Sequence, residues 1–272
     1  MPAEPVAVWS GDPGPGDPGP ADPGPADAAA SRRGAYLHIP FCRRVCPYCD
    51  FAVVAGREDL AGRYAGAVAT EISVAAPFPE ALDAVFVGGG TPSRMAPADL
   101  GRVLAALGER FGLAAGAEVT LEANPEDWSA PLADGLAAAG FNRVSLGAQS
   151  FDPGVLAALG RQHHPEQVEQ AVSAARAAGF ASVNLDLIFG SPGESAASWR
   201  ASVERALATG VDHLSVYALT VEHGTPLWRA VAAGAPAPDP DHQAALWEEA
   251  DRLAAAAGLV RYETSNFARP GH

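Results

Sequence analysis

The stretch YLHIPFCRRVCPYCDF, residues 36–51, contains Cys42, Cys46 and Cys49, the only cysteines of a 272-residue chain. An odd number of thiols cannot all pair within one chain, so a disulfide framework is excluded. Cys-x3-Cys-x2-Cys suits a metal instead. Structural zinc takes four ligands, and His38, four residues before Cys42, supplies a candidate fourth. Thiolates are equally the usual ligands of a [4Fe-4S] cluster, where three of them leave one iron free to chelate a small molecule and pass it an electron. Spacing alone leaves both open.

A second set of chemistry-bearing residues emerges from the elements that must position this loop. Short β-prone runs at 35–39, 83–87, 118–123, 143–148, 182–189 and 213–219 alternate with helix-compatible segments near 58–76, 97–110, 130–139, 165–178 and 196–209. Strand alternating with helix implies a parallel sheet with helices outside it, an α/β fold. Period two places Thr120 and Glu122 on one strand face, Ser145, Gly147 and Gln149 on the next, and Asn184 and Asp186 on the fifth. The opposite faces carry Val119, Leu121, Val144, Leu146, Val183 and Leu185, which must meet the helices. A closed eight-stranded barrel fills its interior with aliphatic layers. Six strands with a polar concave face therefore predict an incomplete barrel that holds a polar ligand.

The rest of the chain narrows function by exclusion. A net charge of −14, with arginine as the only cationic side chain besides histidine, does not suit gripping a nucleic-acid backbone. No apolar run reaches the length of a membrane span, and the N-terminus lacks the features of a secretory signal, so the expected location is the cytoplasm. Residues 11–25 repeat xDPGP three times. Proline and glycine at this density cannot build a core, so residues 1–33 are expected to form a disordered tail.

The cysteine loop with Tyr48 before its last cysteine, and GGGTP at 88–92, resemble the radical S-adenosylmethionine superfamily. Within it, YLHIPFC, EANPED, RVSLGAQSF, LGRQH, NLDLIFGSPGE and YETSNFARPGH are similar to the coproporphyrinogen III oxidase-like branch, from about residue 34 to the end. The resemblance implies an incomplete (βα)6 radical-SAM barrel over 34–220, followed by the truncated start of a C-terminal region at 221–272. It implies a [4Fe-4S] cluster on Cys42, Cys46 and Cys49, with S-adenosylmethionine on the open iron. Tyr36 and Tyr48 would flank the cluster loop, while Gly89, Gly90 and Thr91 would let backbone approach the methionine end of the cofactor. Glu122, Gln149 and Asp186 would serve its amino group and ribose hydroxyls, and the Arg161 fork its carboxylate.

The branch holds two kinds of protein. Oxygen-independent coproporphyrinogen oxidases decarboxylate two propionates of a porphyrinogen; haem chaperones bind haem as cargo and pass it to haem-accepting proteins. The oxidases carry a further cysteine two positions past the triplet, where this chain has Asp50 and Phe51. The resemblance thus favours the chaperone, with the oxidase as the alternative. In the chaperones a His-Asn-x-x-Tyr motif follows in the C-terminal domain, beyond His272. His163 and His164 are expected as exposed loop histidines, with contact to a porphyrin as the alternative, and the edge of the sixth strand as uncovered.

Overall fold

The computed structural model describes residues 33–272 and the two-residue strand Val8–Trp9, which pairs antiparallel with Gly34 and Ala35. The remainder of the expected tail lies outside the described residues. Six strands, β1 (Gly34–Ile39), β2 (Leu82–Gly89), β3 (Leu113–Ala123), β4 (Arg143–Gln149), β5 (Ser182–Phe189) and β6 (His213–Ala218), lie side by side in chain order. All six run parallel. β1 and β6 do not pair with each other, so the sheet is an open barrel.

Each crossover passes through helix on the outer face. α1 (Ala61–Val74), α2 (Pro97–Phe111), α3 (Ala130–Ala138), α5 (Pro165–Ala177) and α6 (Ala196–Ala208) fall where the pattern placed them. Their starts are written in the sequence. Proline occupies the first turn of α2, α3 and α5, where its missing N–H costs nothing, and the Ser129 hydroxyl accepts from Leu132 N. The aliphatic strand faces are sealed beneath them: Leu121, Val144, Leu146, Val183 and Leu185 are wholly buried.

Three further helices were not anticipated. α4 (Pro153–Ala158) is a single short turn-and-a-half started by the Asp152 carboxylate, α7 (Pro226–Ala232) docks on the cysteine loop, and α8 (Pro240–Ala256) packs on α6. Trp199 of α6 donates its indole N–H to Leu246 O of α8 at 2.7 Å, with no exposure at all.

The edge of β6, expected to be bare, is covered. After α8 the chain returns as β7 (Val260–Arg261) and β8 (Asn266–Ala268), and β8 pairs antiparallel with β6. Phe267 is sealed into the core that begins at Ala35. An unpaired edge of a parallel sheet would present a row of open donors and acceptors, and this short strand satisfies it.

Candidate functional site

β1 ends at Ile39, and Pro40 carries the chain outward into the cysteine loop. Phe41–Cys42 pair in parallel with Val54–Ala55, and Val54 N donates to Pro40 O at 2.8 Å, so the loop between them is a closed excursion. Cys49 N donates to Cys46 O inside it, and Pro47 O accepts from Leu227 N of α7. The three thiols are free and half-buried. Burial pushes the Cys42 and Cys49 thiols up from their ordinary range. The Tyr48 ring packs against a small apolar cluster of Val155, Leu159, Ile188 and Leu219.

His38 is not available as a fourth metal ligand. Its Nε2 donates to Ala52 O at 2.8 Å and its Nδ1 accepts from the Tyr36 hydroxyl at 3.1 Å, which occupies both nitrogens. Nor do three His, Cys, Asp or Glu side chains converge on a single-ion site among the described residues. The zinc alternative loses this fourth ligand, whereas three thiols, none of them tied up in a disulfide, fit a cluster.

Facing the loop, the end of β2 shows why glycine is required. Gly89 has φ +112, and a Cβ there would stand 2.4 Å from the His38 ring; one on Gly90 would stand 2.9 Å from Ile39 O. These glycines first serve the chain itself, letting β2 lie against the root of the cysteine loop. Gly89 N donates to the Glu122 carboxylate at 2.9 Å. Burial, then the nearby Asp186, pushes the Glu122 carboxyl up to about 7.

Asp186 is the hub of the polar row. It accepts from Ser145 Oγ and Asn184 Nδ2, each at 2.8 Å, and burial raises its pKa too. Because Asn184 spends its amide N–H groups on Asp186 and Ser145, its Oδ1 must accept, and His213 Nδ1 donates to it at 2.6 Å. His213 Nε2 is then left to accept from the Tyr262 hydroxyl at 2.7 Å.

Arg161 projects from the turn after α4 and is almost wholly enclosed. It donates to Asn124 Oδ1 at 2.5 Å and Gly147 O at 3.0 Å, and reaches Cys46 Sγ at 3.8 Å. Its Nε is buried without a protein partner. His163, expected to be exposed, is 3% exposed: it donates from Nε2 to Ala148 O and turns Nδ1 toward Glu126 at 3.3 Å. Although burial raises Glu126, His163 and Arg161 outweigh it and hold that carboxyl down at about 2. His164 instead starts α5, its N–H donating to Gln167. Gln149 sits past a register shift in β4 with φ +62, still beside Gly147.

One cavity of about 490 Å³ gathers these groups. Its wall includes all three cysteines and every other site residue expected from the sequence except Tyr36, which stacks on Phe86 nearby. It also includes residues the sequence reading did not single out: Asn124, Ile188, Tyr217 and Glu222. Asn124 lies in a motif that was noticed, but an Asn before Pro reads first as turn chemistry.

The Radical SAM superfamily profile matches residues 36–206. The chain is 46% identical over 245 residues to "Heme chaperone HemW" of Mycobacterium tuberculosis strain H37Rv, covering 88% of this chain and 63% of that protein. It is 37% identical over 247 residues to the mouse "Radical S-adenosyl methionine domain-containing protein 1, mitochondrial", covering 90% and 56%. Among solved structures, coproporphyrinogen III oxidase (HemN) from Escherichia coli superposes with a TM-score of 0.76 at 28% identity, covering 87% of this chain and 55% of that one. The chain thus spans less than two thirds of the length of these relatives. With its cysteine triplet at the mouth of an open parallel barrel, the chain belongs to the radical SAM superfamily.

Proposed function

We propose that Cys42, Cys46 and Cys49 hold a [4Fe-4S] cluster, that S-adenosylmethionine occupies the adjoining cavity, and that the whole protein carries haem to acceptor proteins. Held by these three thiols, a cluster with one open iron would supply electron transfer to a sulfonium compound. The chain's own part is to bind and orient. Glu122 and Asp186 present carboxylates to the ammonium group and ribose hydroxyls, and Arg161, in the cavity wall beside Cys46, brings a positive charge for the cofactor carboxylate. Burial of these groups excludes water, which strengthens each such contact.

Asp50 and Phe51 carry the choice between chaperone and oxidase. They follow Cys49 directly, where the oxidases that this chain resembles have a further cysteine, and Phe51 is 62% exposed. The 46% identity to a haem chaperone supports the same choice. The whole protein, reduced and supplied with S-adenosylmethionine and coproporphyrinogen III without oxygen, is expected to form no protoporphyrinogen, yet to bind added haem at about one per chain. Sustained decarboxylation would return it to the oxidase group, which the superposition on the Escherichia coli enzyme keeps as the second reading.

A further inference from the structure

Between Arg161 and the cysteine loop lies a chain of hydrogen bonds whose direction is forced at each step. A guanidinium only donates, so Asn124 must turn Oδ1 to Arg161 Nη2, 2.5 Å away. That orientation points Nδ2, also donor-only, at Thr91 Oγ1, 3.1 Å away. With a lone pair of its oxygen engaged, the Thr91 hydroxyl directs its single proton to Cys42 Sγ at 3.6 Å. Thr91 is 3% exposed and the Arg161 side chain 6%, so water does not compete for these contacts. Arg161 also donates directly, through Nη1, to Cys46 Sγ at 3.8 Å. Cys49 stands outside this network and is served by the Phe51 backbone N–H.

We infer that Thr91 and Asn124 are positioning residues which, oriented by Arg161, hold a proton against Cys42 Sγ and thereby set the reduction potential of the cluster. The inference rests on the cluster proposed above, but it concerns the Thr91 hydroxyl and the Asn124 amide, to which the resemblance gives no role. A hydrogen bond to a cysteine sulfur stabilises the more electron-rich, reduced cluster, so it raises the potential. A charged guanidinium at the head of the relay polarises each bond after it.

Thr91→Val removes the proton and keeps the shape. Thr91 has φ −139 and ψ 83, an extended backbone that valine accepts, and its N–H bond to Phe41 O is untouched. The chain would be loaded anaerobically with iron and sulfide, without S-adenosylmethionine, and its potential measured by redox titration of the reduced-cluster paramagnetic resonance signal. Thr91→Val should titrate at a more negative potential than the unaltered chain at equal iron and sulfide content. Asn124→Ala, which frees the hydroxyl to rotate, should fall between them, and Thr91→Ser should restore the original potential. An unchanged potential in Thr91→Val overturns the inference. If that variant loads poorly, an unchanged potential in Asn124→Ala does so instead. Failure of the unaltered chain to take up iron and sulfide would count against the cluster itself, which is a separate result.

Discussion

A carboxylic acid must lose its proton before it can hold a cation, and in this cavity burial works against that loss. Glu122 sits with one oxygen on Gly89 N and with Asp186 nearby, and its carboxyl is pushed up to about 7. S-adenosylmethionine brings an ammonium and a sulfonium, so its affinity should rise as pH increases through about 7 and level off above it, where Glu122 is ionised before the ligand arrives. Calorimetry between pH 6 and 8 checks this. Glu122→Gln should bind more weakly at pH 8, by roughly 10- to 150-fold for a lost charge-assisted bond worth ~1.5–3 kcal/mol. It should also flatten the pH profile. A steep profile that survives in Glu122→Gln would assign the proton to another group.

At the scale of the element, β6 explains both what the sequence showed and what it hid. All six barrel strands could be located because each is a short β-prone run between helical segments, and period two sorted Glu122 and Asp186 from their aliphatic neighbours. The three-residue β8 carries no such pattern and exists only because β6 offers it an edge. Its arrival brings Tyr262 to His213, a contact between residues 49 positions apart. In the same way His163 reads as a polar loop residue until the fold sets Ala148 and Glu126 around it. Alternation also gave no hint of the left-handed Gln149 at the register shift in β4.

The buried His213 has a measurable consequence. Burial, then the positive charge of Arg143, lowers its pKa from 6.5 to about 4. The unfolded chain therefore takes up a proton on this residue before the folded chain does. The stability it contributes is complete above about pH 6.5 and is lost as pH falls toward 4. At ~1.4 kcal/mol per pKa unit this amounts to about 2–4 kcal/mol. Urea unfolding of the unaltered chain should show that loss, whereas His213→Gln should be less stable at pH 7 and lack this part of the pH dependence. Equal slopes in the two proteins would show that His213 does not titrate in this window.

Across the whole molecule, the cavity and the core divide differently along the chain. Every residue of the cavity wall falls between Cys42 and Glu222, so the proposed cluster would need none of the further length of the relatives for its ligands. The core runs further, taking in Leu246, Leu259 and Phe267, and Trp199 relies on Leu246 O for its indole N–H. Three large apolar side chains at ~1.5–3 kcal/mol each are comparable with the lower part of the ~5–15 kcal/mol that holds a typical domain together. Residues 34–272 should therefore take up about four irons and four sulfides per chain on anaerobic reconstitution. A version ending at residue 220 should fail to load because β6 loses β8, and α6 loses α8, even though every cavity residue except Glu222 is present. Cys42→Ala, Cys46→Ala and Cys49→Ala should each abolish loading in the longer chain while leaving its circular dichroism unchanged. Uptake of zinc without sulfide would replace the cluster with a structural metal. Full loading of the version ending at 220 would show that the barrel stands without its C-terminal strand and helix.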